Sequence, residues 1–268
     1  MKKMFFLFLA LCSLVFGKSL DEIKSSKVIR IGVYDGQPPF SKFENNEFVG
    51  FEIDLANKIA QAVFAPESGA IEFVTVSPED RMKFLAENKV DLIIANYTRT
   101  DERAKYVDFS MPYFAVNIGV LTKKSDRLKS LTDLKDKVVL CSESSTADDF
   151  FSSKGYKVKY CDTASKCYMM LKLGEGDAYA ADNIVALTFP VIDQDLEVNI
   201  KNLGSADFLA IGVQKGNSEL LNFLNLQLIN LSKEGFFKKA FEETLDVYFK
   251  GTAEKKYFLL DDVYSIFG

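Results

Sequence analysis

The residues best placed to do chemistry lie in Asp91-Leu92-Ile93-Ile94-Ala95-Asn96-Tyr97-Thr98-Arg99-Thr100-Asp101-Glu102-Arg103, where an apolar run gives way to small polar groups and an arginine. Leu92 to Ala95 reads as a strand buried on both faces, Thr100 can cap a following helix, and Asp101 and Glu102 suit its first turn. Arg103 does not suit it. A helix N-terminus is a partial positive charge, so a cation there loses roughly 0.3–1 kcal/mol unless something offsets it. A bound carboxylate would offset it; the plainer reading is an arginine lying along the surface. A short internal echo favours the carboxylate. In Leu85-Ala86-Glu87-Asn88-Lys89-Val90-Asp91 a helix end leads to a strand finishing at Asn96, and in Leu171-Lys172-Leu173-Gly174-Glu175-Gly176-Asp177 the same grammar finishes at Asp182. Open α/β sheets meet ligands outside the carboxyl ends of their strands. A cation at one such edge and an anion at the other suit a zwitterion: Arg103 offers a planar fork to a carboxylate, Thr98 a hydroxyl, and Asp182 accepts ammonium protons. Ser142-Glu143-Ser144-Ser145-Thr146 joins a strand to a helix and is a second place for donors to face a carboxylate, unless it is plain N-capping.

The elements that must position these groups alternate. Val28 to Val33, Ile71 to Val76 and Val90 to Ala95 read as strands, with helices over Glu52 to Phe64 and Pro78 to Asn88 between them. After a connecting strand near Ala115 to Thr122 the alternation restarts: strands at Val138 to Cys141, Lys157 to Tyr160 and Ala178 to Ala181, helices at Thr146 to Ser153 and Ser165 to Leu173. A strand at Phe208 to Gln214 leads into helix from Ser218 to Leu245, interrupted at Gly235. Strand and helix in alternation imply an α/β fold of mostly parallel sheets flanked by helices, in two units.

Composition excludes several functions. The chain has no histidine and a net charge of −5, which disfavours imidazole base catalysis and a nucleic-acid partner. No nucleophile elbow or phosphate-cradling glycine loop is present, so no enzyme is expected, although one carboxylate in a dry pocket can serve as an acid. Met1 to Gly17 carries Lys2 and Lys3 before an uncharged apolar run and reads as a secretory signal peptide cleaved after Gly17, placing the protein in the periplasm. Of the cysteines left after cleavage, Cys161 and Cys167 are spaced for a disulfide or are small buried residues, and Cys141 stands apart. Metal binding and a cofactor are not expected.

Gly50-Phe51-Glu52-Ile53-Asp54-Leu55 with Ile59-Ala60 and Val63, and Thr98-x-Thr100-x-x-Arg103 with Val107-Asp108-Phe109-Ser110-x-Pro112-Tyr113, resemble the motifs of the polar amino-acid-binding periplasmic proteins of ABC importers. The resemblance runs from about Val28 to Leu245. It implies a two-lobed, type II periplasmic-binding-protein-like fold with two hinge strands, lobe 1 being residues 18–117 and 212–268 and lobe 2 residues 118–211. It implies that Arg103, with Thr98 and with Ser145 and Thr146 of the second lobe, binds the ligand's carboxylate. Asp182 and the Asn96 carbonyl would hold its ammonium, Phe51 and Tyr34 would flank it, and Arg81 would stand near the pocket. Many members have an acid near Tyr34, an aromatic at Gln37 and a glycine at Ser144, so side-chain selectivity is set differently here. Ala95-Asn96-Tyr97-Thr98, Ser145-Thr146-Ala147-Asp148 and Asp182-Asn183 are most similar to cysteine-binding members from epsilonproteobacteria. The expectation is a monomer that captures a free amino acid, cysteine first and otherwise a small polar or acidic one, for a membrane permease and ATPase. The alternatives are an exported dehydratase on the same fold or a ligand-presenting sensory or surface protein.

Overall fold

The structure, a computed structural model, describes residues 17–250 and, beyond them, residues 253, 255, 258–260 and 264. The expected signal segment lies outside the described residues except for Gly17, as does most of the tail after residue 251. In chain order the strands are β1 (Val28–Val33), β2 (Gly36–Gln37), β3 (Ser41–Glu44), β4 (Glu47–Val49), β5 (Ala70–Thr75), β6 (Leu92–Ile93), β7 (Val107–Lys123), β8 (Val138–Cys141), β9 (Lys157–Tyr160), β10 (Ala178–Asp182) and β11 (Leu196–Gln214). Eight of them form one sheet in the order β5-β1-β6-β11-β7-β10-β8-β9, and β2-β3-β4 form a small second sheet.

The large sheet has two parallel ends and an antiparallel middle. β1 pairs in parallel with β5 and β6 at one end, and β8 pairs in parallel with β9 and β10 at the other. Between them run β7 and β11, antiparallel over nearly their whole lengths; the chain enters the second half along β7 and returns along β11. β6 and β10 therefore hold matching places, each lying between the central strand of its half and one long strand. The echo in sequence between the segments ending at Asn96 and Asp182 corresponds to this topological equivalence.

Side-chain periodicity explains how each half is covered. In helix Phe51–Phe64, Phe51, Leu55, Ile59 and Val63 fall on one face and are buried against Ile29, Ile31 and Phe114. Helix Ser218–Lys233 adds Leu220, Leu224, Leu228 and Leu231 to the same core at helical spacing. In the second half, neighbouring residues of β8 point to opposite faces: Val139 and Cys141 pack with Ala147 and Phe151 of helix Thr146–Ser153, while Leu140 packs with Cys167 and Leu171 of helix Ala164–Leu173. Cys161 and Cys167 form a disulfide that ties the end of β9 to this helix, and Cys141 is a buried free thiol.

Three elements differ from the sequence reading. The helix expected after Thr100 is one 3-10 turn, Arg103–Lys105, because Val107 already belongs to β7 and leaves no room for a second turn. β6 stops at Ile93 although the apolar run continues to Ala95, since Asn96 takes a left-handed conformation at φ 42° and turns the chain out of the ladder. In the C-terminal part the break falls at Gly235 as expected, at φ 73°, and the difference lies beyond it, where Phe236–Ala240 continues into a π-helical turn, Phe241–Asp246, in place of regular α-helix.

Phe51 is fully buried, with its ring edge-on to Phe40 and Phe114. Truncating such an aromatic leaves a cavity, so Phe51→Ala is expected to lower unfolding free energy by about 3–5 kcal/mol in urea denaturation. A loss below about 1 kcal/mol would mean that the ring is not a core element.

Candidate functional site

The carboxyl ends of β1, β6 and β10 converge on one cleft. It encloses about 510 Å³ of space, part of it open to solvent. Eight of the nine expected site residues line it: Tyr34, Arg81, Asn96, Thr98, Arg103, Ser145, Thr146 and Asp182. Phe51 does not. It begins its helix one residue after Gly50 and turns inward beneath the sheet, so the aromatic surface of the cleft comes from Tyr34 and from Tyr179 of β10 instead.

Arg103 is held by carbonyls and a ring. Thr100 Oγ1 accepts from the Arg103 backbone N–H at 3.2 Å, Nη1 donates to the Thr98 carbonyl at 2.7 Å, and Nη2 crosses the cleft to donate to the Ser144 carbonyl at 2.9 Å. The guanidinium lies 5.6 Å from the centre of the Tyr97 ring. Arg81 covers the same ring at 4.5 Å, donates from Nη1 to the carbonyls of Ala95 and Asn96 at 3.1 and 3.0 Å, and from Nε to Pro78 at 3.2 Å. The two arginines are only 8% and 3% exposed, and among the described residues neither lies within 4 Å of a carboxylate oxygen. Burial lowers the pKa of Arg103, and the neighbouring Arg81 lowers it further. Two desolvated cations partnered by dipoles alone form a site prepared for an anion.

The opposite wall carries Asp182, the last residue of β10. Burial, aided by Asp207, pushes its carboxyl up to about 7, against the pull of Arg81 and Arg103. Near neutrality it exchanges a proton readily, and a cation at its side would hold it ionised. Beside it, Ser145 caps helix Thr146–Ser153 by accepting from the Asp148 N–H at 3.1 Å, so its hydroxyl performs the plainer of its two expected roles. Thr146 opens that helix, and the helix start lies on the cleft wall.

Ser142, from the expected donor segment Ser142 to Thr146, and Gln37, a position where the resemblance departs from the common pattern, also line the cleft, whereas Tyr179 of the lining and Glu52, which stands behind it, were not singled out from the sequence. Gln37 and Ser142 lie in strand and loop ends where any polar residue is ordinary. Glu52 did carry a signal: with Leu55, Ala56, Ile59 and Val63 it falls on the apolar stripe of its helix, an unusual place for an acid. It is completely buried, accepts from the Asn96 backbone N–H at 2.7 Å and from the Tyr113 hydroxyl, and is pushed up to about 7 mainly by burial.

Residues 29–246 match the profile of the bacterial extracellular solute-binding proteins, family 3. A glutamine-binding protein of an ABC transporter from Bacillus subtilis is 30% identical over 203 residues, 74% of this chain and 73% of that protein. Two crystal structures match over 90% of this chain with a TM-score of 0.86 each. One is a solute receptor for L-cysteine from Neisseria gonorrhoeae, 35% identical and 99% covered; the other is a cysteine-binding protein from Campylobacter jejuni, 37% identical and 98% covered. No helix of the described residues is long and apolar enough to cross a membrane. With its two α/β lobes joined by β7 and β11, the chain has the type II periplasmic-binding-protein fold and belongs to the bacterial extracellular solute-binding proteins, family 3.

Proposed function

We propose that the protein captures a free amino acid, cysteine before other small polar or acidic ones, in the periplasm and delivers it to the permease and ATPase of an ABC importer. The observation that carries this reading is the pair Arg103 and Asp182, which line one cleft, Arg103 from the 3-10 turn that follows β6 and Asp182 from the end of the topologically equivalent β10. The similarity to cysteine-binding structures over 90% of the chain supports the choice of ligand. The ligand's carboxylate takes Arg103, the Thr98 hydroxyl and the start of helix Thr146–Ser153. Its ammonium takes Asp182 and the second lone pair of the Asn96 carbonyl, the first being used by Arg81. The thiol of cysteine then faces the part of the cleft lined by Tyr34, Gln37, Pro78 and Ala164, which suits a short side chain.

Closure follows from the division into lobes, 18–117 with 212–268 and 118–211. The β7–β11 ladder shifts register at several points between Val198 and Gly212, the widest unpaired stretch lying between Leu203 and Asp207, where bending disturbs the fewest paired groups. The Arg103–Ser144 bond joins the two walls, and a ligand that adds contacts to both walls shifts the hinge toward the closed form the permease recognises. Export by cleavage after Gly17 and action as a monomer complete the reading. The chain is read as a binding protein rather than an enzyme, since its cleft offers cations and one acid but no activated nucleophile.

A thermal-shift screen of the common amino acids is expected to single out cysteine, recovered unchanged after binding; stabilisation by none of them contradicts the reading. Truncating one member of a buried charged pair costs roughly 2–5 kcal/mol, so Arg103→Ala and Asp182→Ala should each weaken cysteine binding by that amount in calorimetry while remaining folded. Near-native affinity in either variant removes the clamp. The pH dependence has a definite sign. With the Asp182 carboxyl raised to about 7, the ligand-binding carboxylate is the deprotonated form, so affinity should rise from pH 6 to pH 8 and level off. At pH 6 it should be weaker than at pH 8 by about tenfold, and Asp182→Asn should remove most of the dependence, Glu52 being the other carboxyl near the cleft raised to about 7. A flat wild-type profile would show that Asp182 does not hold the ammonium.

A further inference from the structure

Asn96 is one of the few non-glycine residues with a left-handed backbone, at φ 42°, and its peptide is gripped from two sides. Arg81 Nη1 donates to its carbonyl at 3.0 Å, and Glu52 Oε1 accepts from its N–H at 2.7 Å. Turned with its nitrogen toward Glu52, the Asn96 carboxamide also donates to both carboxyl oxygens, at 3.1 and 3.2 Å, and accepts from Gln37 Nε2 at 3.3 Å. Glu52 therefore bonds three times to one residue and a fourth time to the Tyr113 hydroxyl on β7. It does not line the cleft and has no cation within 4 Å among the described residues.

The first turn of a helix favours an acid through its dipole, but that benefit is available on the exposed side, and no salt bridge within 4 Å among the described residues offsets the desolvation of Glu52 on the apolar stripe. Helix Phe51–Phe64 has its apolar face filled by Leu55, Ile59 and Val63 without it. What Glu52 does hold is the one peptide whose carbonyl is assigned to the ammonium. Asparagine tolerates the left-handed region better than most residues, yet without the grip on its N–H the peptide is held by Arg81 from the carbonyl side alone, which leaves the direction of that carbonyl less firmly set.

We propose that Glu52 is a positioning residue for the ligand's ammonium: it fixes the Asn96 peptide so that its carbonyl stands beside Asp182 as the second acceptor. The proposal rests on the amino-acid reading above. Burial raises the Glu52 carboxyl to about 7, and Oε1 accepts from the Asn96 N–H in either protonation state, so the grip persists across neutrality.

The test separates positioning from folding by removing the ammonium from the probe. L-cysteine and its desamino analogue 3-mercaptopropanoate are titrated, the latter by competition, against wild type, Glu52→Ala and Glu52→Gln, each checked for native circular dichroism. Loss of the grip is expected to weaken cysteine in Glu52→Ala by about tenfold or more and to leave 3-mercaptopropanoate within about threefold of wild type. Glu52→Gln keeps an acceptor for the Asn96 N–H and the Tyr113 hydroxyl, and is expected to restore cysteine binding to within about threefold. An equal fall for both probes in Glu52→Ala, or a Glu52→Gln variant as weak as Glu52→Ala, overturns the proposal. If Glu52→Ala does not fold, Glu52→Met, which fills a similar volume without offering an acceptor, takes its place: loss of preference for cysteine over the analogue supports positioning, and preserved preference overturns it. Wild-type protein that binds no cysteine overturns the amino-acid reading itself, and the proposal with it.

Discussion

Two guanidinium groups sit almost dry in one cleft with no carboxylate oxygen of the described residues within 4 Å of them, and much of the fold around the cleft is arranged to make that tolerable. A buried charge is costly unless dipoles replace its water, and here the dipoles are carbonyls from chain segments that have left their strands. Ala95, Asn96 and Thr98 each turn a carbonyl toward an arginine as the backbone comes off β6, and Ser144 does so from the far wall. The ring of Tyr97 between the two cations adds the negative face of its π-system, worth roughly 0.5–2 kcal/mol for each cation. Partial compensation of this kind leaves a strong residual attraction for an anion of the right shape.

The same segment explains why the site lies between lobes. Residues 97 to 99 are laid against β11, with the Ala210 N–H donating to the Tyr97 carbonyl and the Arg99 N–H to the Phe208 carbonyl, so the cation-bearing wall is anchored to a strand that passes between the halves. The anion-bearing wall is anchored to the other such strand, since Asp182 pairs with Ile118 of β7. Near the crossing, a Cβ on Gly119 would come within 2.8 Å of Asn183, directly after Asp182, so only glycine lets β7 pass this close to the turn. Bending the β7–β11 pair therefore moves the two walls against each other, and contacts that both walls make to one ligand are what such a movement can respond to.

Much of this was legible in the chain before folding. Val138–Cys141, Lys157–Tyr160 and Thr146–Ser153 begin and end where an apolar run, a charged-apolar alternation and a serine cap place them, because short segments bounded by turn residues leave few alternatives. Arg103 stood out because it breaks a local rule, a cation at a presumed helix start, and Asp182 because a short internal echo places it where Asn96 stands in the other half. The misreadings share a cause. The helix after Thr100, the full reach of β7 from Val107 and the inward turn of Phe51 depend on which strands pair across the sheet, and pairing is not written in local periodicity. Glu52 was missed for the same reason: its partners Asn96 and Tyr113 lie 44 and 61 residues away.

The zwitterion clamp is tested most directly by asking which end of the ligand the cleft needs. Wild-type protein is titrated calorimetrically with L-cysteine, with 3-mercaptopropanoate, which lacks the ammonium, and with cysteamine, which lacks the carboxylate. The expected result is one-to-one binding of cysteine, with each truncated compound weaker by about a hundredfold or more, since each leaves a buried charge unpaired. Binding of either truncated compound as tight as that of cysteine would contradict a clamp formed by Arg103 and Asp182.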